Sequence, residues 1–291
     1  MQKYKVVIIG SGIAGMSAAI YLKRGGIDPV IIEKEAPGGT LNYIPEIENY
    51  PGFEKISGPD LAMNIYTQVT KLGIEYIFKN IKEIDLDKKT IDNEIKYDYL
   101  IIATGRKHRL LNLENEENLL GRGISTCALC DGNFYKDKEV IVVGGASSAL
   151  TESLYLSSIC KKVTIILRRD NFSGENYLVE KVLNTKNIKI IYNSNITSYN
   201  TKENKLISVT INGKKKIKTE GVFLAIGSTP NSSLFDVDKE NDYIIVDNNY
   251  ETNIKNVFAV GDVIKKDYYQ LINASNEGMT ASLEIINREK K

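Results

Sequence analysis

The chain has one histidine, three cysteines and no apolar run long enough to cross a bilayer. Scarcity of histidine and cysteine argues against a structural zinc site. A tetrahedral set needs four such ligands, and only Cys160 and His108 stand outside the close pair Cys127 and Cys130. An excess of either charge is missing too. Lys and Arg number 38 against 37 Asp and Glu, so no global field draws the chain to nucleic acid or to an anionic membrane. The N-terminus runs from Met1 into a β-branched segment without the pattern of a secretory leader. With so few cysteines, a reducing cytoplasm is the expected location and no metal is expected. At 291 residues the chain has room for two domains, each with its own core.

What is present begins with Cys127-Ala128-Leu129-Cys130. Two thiols at this spacing can close a readily reduced disulfide, and the N-terminal thiol of such a pair often has a lowered pKa that makes it a nucleophile. Half of a zinc site is the competing reading, and the missing second pair weighs against it. The third cysteine, Cys160, follows an expected helix over Glu152–Ile159 and reads as a small packing residue. Lys214-Lys215-Lys216 reads as a solvated hairpin after the turn residues Asn212-Gly213.

Two nucleotide fingerprints flank the cysteine pair. The apolar run Lys3–Ile9 breaks at Gly10-Ser11-Gly12-Ile13-Ala14-Gly15, a helical stretch follows to about Lys23, and a second apolar strand from Pro29 ends in Glu33. In this order Gly10 permits the tight turn, Gly12 lets a pyrophosphate approach the helix N-terminus, and Gly15 lets helix and strand pack closely. Glu33 stands about 20 residues past the first glycine, where a carboxylate accepts from an adenosine ribose. A second unit opens at Glu139–Val143, with Gly144-Gly145-Ala146-Ser147-Ser148-Ala149 and a helical run through Leu156. Its second strand, Val163–Leu167, ends in Arg168-Arg169. A cation pair suits a ribose 2′-phosphate, so this site leans toward NADP and the first toward FAD or NAD. A solvated strand end is the alternative for the arginines.

Tyr97–Gly105 and Val257–Val263 are apolar strands that end in small turns, far from the first fingerprint in sequence. Asp262 is either a ligand for a ribityl or pyrophosphate group or the cap of its turn. If both strands serve the first domain, the second is inserted within it. The fold expected is α/β, two Rossmann-like dinucleotide-binding domains with the second inserted into the first. The crossovers are expected where polar residues cluster, near Asn115–Leu120 and Asp242–Asn249. That places one domain over residues 1–116 and 247–291 and the other over 117–246.

With these residues in order, the sequence resembles the low-molecular-weight thioredoxin reductases over nearly its full length. The matching blocks are Gly10–Gly15, Gly38-Gly39, Glu48–Phe53, Ala103-Thr104-Gly105, Gly121-Arg122-Gly123, Cys127–Gly132, Gly261-Asp262-Val263 and Gln270. The resemblance implies FAD in the outer domain, held by Gly10, Gly12, Gly15, Glu33, Gly39, Asn49, Thr104, Gly105, Asp262 and Gln270. It implies NADPH in the inserted domain, at Gly144, Gly145, Ser148, Ala149, Arg168 and Arg169. It also implies a homodimer whose domains swivel between two reactive arrangements, with thioredoxin or a thioredoxin-like protein as partner. By the same resemblance Cys130 faces the flavin, Cys127 attacks the partner, and Asp131 handles the thiol proton, unless Asp131 is only the acid of an Asp-Gly turn.

Departures from the family pattern cluster at the second fingerprint. Ala146 stands where a glycine is usual, Ser147 where Asp or Asn is, and Thr151 in place of the first of two glutamates. Leu167 takes the place of a histidine, and Ser173 that of a third arginine. Loss of one charged hydrogen bond weakens phosphate recognition by about 1.5–3 kcal/mol. Tyr269-Gln270 replaces the usual Arg-Gln, a feature shared with the clostridial flavin thioredoxin reductases that take electrons from ferredoxin. NADPH is the expected donor and reduced ferredoxin the alternative. A flavin dithiol oxidase and a flavin-dependent redox sensor are further alternatives, against which Asp131 after the cysteine pair favours the reductase.

Overall fold

The computed structural model describes residues 1–44, 46–203 and 205–290, so Lys291, last of the expected FAD-binding segment, lies outside them. The opening β-branched run forms the strand Gln2–Ile9, whose last four residues are buried. Such a continuous apolar stretch suits a central parallel strand covered on both faces. It pairs in parallel with Pro29–Glu33 on one side and Ile95–Ile102 on the other. Glu75–Phe78 lies beyond Pro29–Glu33, and Val257–Ala259 lies beside Ile95–Ile102. The sheet therefore changes direction at its first strand, and an open α/β sheet takes its ligand at the carboxyl end of that switch point. Helices Ile13–Arg24 and Leu271–Glu289 cover one face, contributing Met16, Leu22, Ala281 and Ile285 to its core. On the other face Val7, Ile32 and Leu100 pack with Leu86, Phe235 and Ile244.

A second sheet repeats the plan. Glu139–Val143 sits between Lys162–Ile166 and Gly221–Leu224, with Ile188–Ile191 and Ile124–Ser125 at the edges, all parallel. The helix Ser147–Ser157 follows its first strand as Ile13–Arg24 follows Gln2–Ile9. An antiparallel sheet of Ile196–Lys202, Lys205–Ile211 and Lys215–Lys218 packs Leu206, Val209 and Ile211 against Ile141 and Val222. Its three-residue loop, 212–214, joins Ile211 to Lys215 and has Asn212 and Gly213 at positive φ, +48° and +67°. The lysine run thus lies on a hairpin, as expected.

The chain divides into one unit of residues 1–107 and 229 onward, and an inserted unit, His108–Ser228. Both crossings come earlier than the polar clusters suggested. Arg106–His108 pairs with Ser228–Pro230 there. The polar stretch at 115–120 is instead part of the inserted unit. Its Glu116 is buried and accepts from the Tyr199 hydroxyl at 2.5 Å and from the Leu111 and Leu113 amides. The stretch at 242–249 is structural too, because Ile244 is fully buried in the core of the first unit. The crossings lie in the short extended segments Arg106–His108 and Ser228–Pro230, which are polar as well, so polar composition alone does not separate a crossing from a turn within a unit.

Candidate active site

The first fingerprint is built by close backbone approach. Gly10 has φ +105°, and a Cβ there would stand 2.4 Å from the Ala103 carbonyl oxygen, so only glycine joins this strand to its helix. Gly12 is the N-cap of Ile13–Arg24, makes no side-chain cap, and has open space where a Cβ would point. Amides of an uncapped first turn attract an anion. Gly39 stands against Gly12, where its Cβ would lie 3.4 Å from the Gly12 Cα, and the Gly38 amide donates to the Ser11 carbonyl at 2.8 Å. Glu33 closes the arrangement. Its carboxylate accepts from the amides of Ser11 at 2.7 Å, Lys34 at 2.7 Å and Glu35 at 3.0 Å. Residues distant in sequence meet around this crevice: the Asn49 amide group donates to the Gln270 oxygen at 3.3 Å, and Thr104 and Asn231 bond each other reciprocally at 2.7 and 2.9 Å. The uncapped helix, the open side of Gly12 and the held carboxylate fit a dinucleotide with its pyrophosphate at Gly12 and its ribose at Glu33.

Asp262 lies in the turn Gly261–Val263, directly after the buried strand Val257–Ala259. One carboxylate oxygen faces Arg106 Nε at 3.4 Å and the other faces Lys266 Nζ at 3.5 Å. Lys266 in turn donates to both oxygens of Glu277 at 2.9 Å, and Glu277 also accepts from the Gly261 amide at 2.7 Å. Glu277 is only 4 % exposed. Burial pushes its carboxyl above the ordinary range, with the Lys266 ammonium and the Gly261 amide opposing and Asp262 adding to the rise. The Arg106 guanidinium lies 3.8 Å over the Tyr269 ring.

The second fingerprint has the same backbone and a different edge. Gly144 has φ +144°, and a Cβ would meet the Ala225 carbonyl oxygen at 2.4 Å and the Ala149 methyl at 2.9 Å. Ala146 is the N-cap of Ser147–Ser157 and supplies no side-chain cap. Over this first turn the chain returns: the Ser173 amide donates to the Gly145 carbonyl at 2.8 Å, and the Glu175 amide donates to the Ser147 hydroxyl at 3.2 Å. Ser148 is exposed at the helix start, and Arg168 and Arg169 are exposed just past the strand end. Neither arginine makes an ion pair among the described residues. These groups fit a phosphate-bearing nucleotide, with the arginines on its 2′ side.

The cysteines sit in the inserted unit and form a disulfide. The Cys127 amide donates to the Ser125 hydroxyl at 3.0 Å, and Cys127 Sγ caps the short helix Ala128–Asp131 by accepting from the Cys130 amide at 3.2 Å. On reduction that amide stabilises a thiolate at Cys127. Asp131 has a buried Oδ1 without a hydrogen-bond partner, and burial pushes its carboxyl up, with the Ser125 hydroxyl opposing. Tyr135 close by is pushed up to about 12 by burial and by the Asp131 charge. Ala128 packs with Leu156, Val142 and Cys160, so the disulfide is anchored on the helix that begins at the second fingerprint. Burial pushes the Cys160 thiol up to about 11, and it is a core residue.

The model of the pyridine nucleotide-disulphide oxidoreductases matches residues 4–278. The chain belongs to that family. Among its relatives, the thioredoxin reductase of Bacillus subtilis is 35 % identical over 295 residues, which cover 97 % of this chain and 93 % of the relative. The crystal structure of thioredoxin reductase from Streptococcus pyogenes superposes with a TM-score of 0.93 at 34 % identity, covering 99 % of this chain and 98 % of that one. A ferredoxin-flavin thioredoxin reductase from Clostridium acetobutylicum is also similar, with a TM-score of 0.54 at 27 % identity over 100 % of this chain and 99 % of that one.

For a pyridine nucleotide-disulphide oxidoreductase, sequence reasoning missed four polar side chains at the first site: Arg106, Asn231, Lys266 and Glu277. Only Glu277 left a readable signal. Helix Leu271–Glu289 buries Ala274, Gly278, Ala281, Ser282 and Ile285, and Glu277 falls on that apolar stripe, where an acid demands a partner.

Proposed function

We propose that the protein is an FAD-dependent thioredoxin reductase that takes two electrons from NADPH and passes them through Cys127 and Cys130 to the disulfide of thioredoxin or a thioredoxin-like protein. The observation that carries this reading is the Cys127–Cys130 disulfide beside the Asp131 carboxyl, whose Oδ1 is buried without a hydrogen-bond partner, in a chain that folds two dinucleotide fingerprints with strand ends of opposite charge. FAD, when bound, supplies the two-electron relay between the nucleotide and the disulfide.

The chain's own residues account for the rest. Gly10, Gly12 and Gly15 admit the pyrophosphate, Glu33 accepts from a ribose, and Asn49, Gln270 and Asp262 line the remaining polar edge. Arg168 and Arg169 select a 2′-phosphate at the second fingerprint. Once the disulfide is reduced, the Cys127 thiolate attacks a sulfur of the partner's disulfide and releases the other sulfur as a thiolate. Cys130 then attacks Cys127 Sγ, which re-forms the Cys127–Cys130 bond and frees the partner's second sulfur. Two electrons leave the chain and two protons complete the partner dithiol. Asp131, whose carboxyl is held protonated to higher pH than usual, carries one of them.

The experiment is anaerobic addition of NADPH to the yellow protein, followed by oxidised thioredoxin. Bleaching of the flavin and appearance of dithiol mole for mole with NADPH are expected. Absence of bleaching would refute NADPH as donor. Prompt reduction by ferredoxin would then move the protein to the second reading, which Tyr269 and the uncharged Ser173 favour. A cytoplasmic homodimer belongs to the same proposal, and sedimentation at micromolar concentration tests the dimer.

A further inference from the structure

The cluster around Asp262 contains a cation that neither fingerprint requires. Arg106 follows Thr104-Gly105, at the end of the first unit's segment that leads to the inserted unit. Its side chain is only 16 % exposed, and it turns back to place Nε 3.4 Å from Asp262. Below it lies the Tyr269 ring, with the guanidinium carbon 3.8 Å from the centroid and Lys266 Nζ at 5.4 Å. Tyr269 is therefore a platform. A planar guanidinium on an aromatic face loses the freedom to rotate away from its carboxylate, which an ammonium on a flexible stem would retain.

We propose that Arg106, stacked on Tyr269, is a positioning residue for the flavin site: it fixes the plane of the Asp262 carboxylate for the cofactor. The inference rests on the proposal that FAD occupies the first unit. Asp262 is held from two sides. Lys266 faces one oxygen at 3.5 Å and is itself held by the buried Glu277, while Arg106 faces the other at 3.4 Å and is itself stacked on Tyr269. Arg106 supplies positive charge beside Asp262 from a different element, with Tyr269 as its support. Tyr269 and Arg106 thus form one functional unit, and either change alone should undo it.

The test compares FAD binding and flavin midpoint potential in the wild-type apoprotein and in Arg106→Ala, Arg106→Lys, Tyr269→Leu and Tyr269→Phe. Binding is read by quenching of FAD fluorescence, and thermal melting of each apoprotein reports its fold separately. Arg106→Ala should weaken FAD about ten-fold, as loss of one charge-assisted contact does, and should shift the flavin potential to a more negative value. Tyr269→Leu should reproduce both effects, and the double variant should be no worse than either single one. Tyr269→Phe keeps the ring and should retain most of the affinity, whereas Arg106→Lys should recover it only in part. Wild-type affinity and potential in both Arg106→Ala and Tyr269→Leu would overturn the proposal, as would additive losses in the double variant. A wild-type apoprotein that takes up no FAD would instead overturn the parent reading, and this one with it.

Discussion

Replacing Arg168 and Arg169 together by alanine separates the two ways of reading the second fingerprint. Both side chains stand just past the strand Lys162–Ile166, at the end of the βαβ unit that begins with Gly144, and both are exposed. A guanidinium on a phosphate is worth about 1.5–3 kcal/mol when shielded, but at an exposed strand end screening reduces each contact to about 1 kcal/mol. The pair then contributes about 2 kcal/mol, close to a thirty-fold change in affinity. NADH has no 2′-phosphate, so the double variant should lose about that factor with NADPH and almost nothing with NADH. The assay is anaerobic flavin reduction followed over a range of each nucleotide. Added salt should narrow the wild-type preference as well, because exposed charges are screened beyond about 10 Å at 0.1 M. Equal losses with the two nucleotides, or no loss with either, would refute the phosphate clamp and leave the arginines as a solvated strand end.

Three further outcomes follow from the geometry. Cys127→Ser should leave Cys130 as a thiolate against oxidised flavin and give a long-wavelength absorption band that Cys130→Ser lacks; the band in the opposite variant would reverse the two roles. Asp131→Asn should slow dithiol formation about a hundred-fold yet stabilise the protein by about 1 kcal/mol at pH 7, because an unpartnered buried oxygen no longer carries charge. The folded carboxyl titrates above the unfolded value of 3.8, so its favourable contribution is complete below that pH and is lost as pH rises through the raised value. The stability gap should therefore close toward acid, and a gap independent of pH in thermal melts would contradict the assignment. Gly10→Ala should cost at least about 2 kcal/mol and most of the bound flavin, since the φ of +105° and the Ala103 oxygen both oppose a side chain; an unchanged melting temperature and flavin content would show that the turn relaxes freely.

Local chemistry made much of this legible in the sequence. Strand, glycine turn, helix and charged strand end recur twice, and each step is fixed by sterics acting over a few residues, so the leading βαβ unit of each sheet could be read before the structure. The cysteine pair was equally plain, because its spacing is itself the constraint. Other features depended on distance. Asn231 reaches Thr104, and Asp262 reaches Arg106, only after the second crossing has returned the chain to the first sheet. The crossings themselves were misplaced for a related reason. Asn115–Leu120 is polar because Glu116 caps backbone amides and meets Tyr199, which lies far along the chain, and composition cannot distinguish a capped buried turn from a linker.

The two fingerprints differ less in their glycines than in how firmly the strand-end charge is held. Glu33 arrives with three backbone amides on its carboxylate, two on one oxygen and one on the other. Little side-chain freedom remains to be lost when a ribose binds there. Arg168 and Arg169 are exposed and make no ion pair among the described residues, so each must surrender rotamer freedom on contact, about 0.5–1.5 kcal/mol per side chain. The rigid edge suits a group that stays in place through many turnovers. A loose edge suits a nucleotide that must leave after each one. On this argument, weakening at Ala146 and Ser173 acts on the exchangeable ligand alone, and the first site can remain tight while the second drifts.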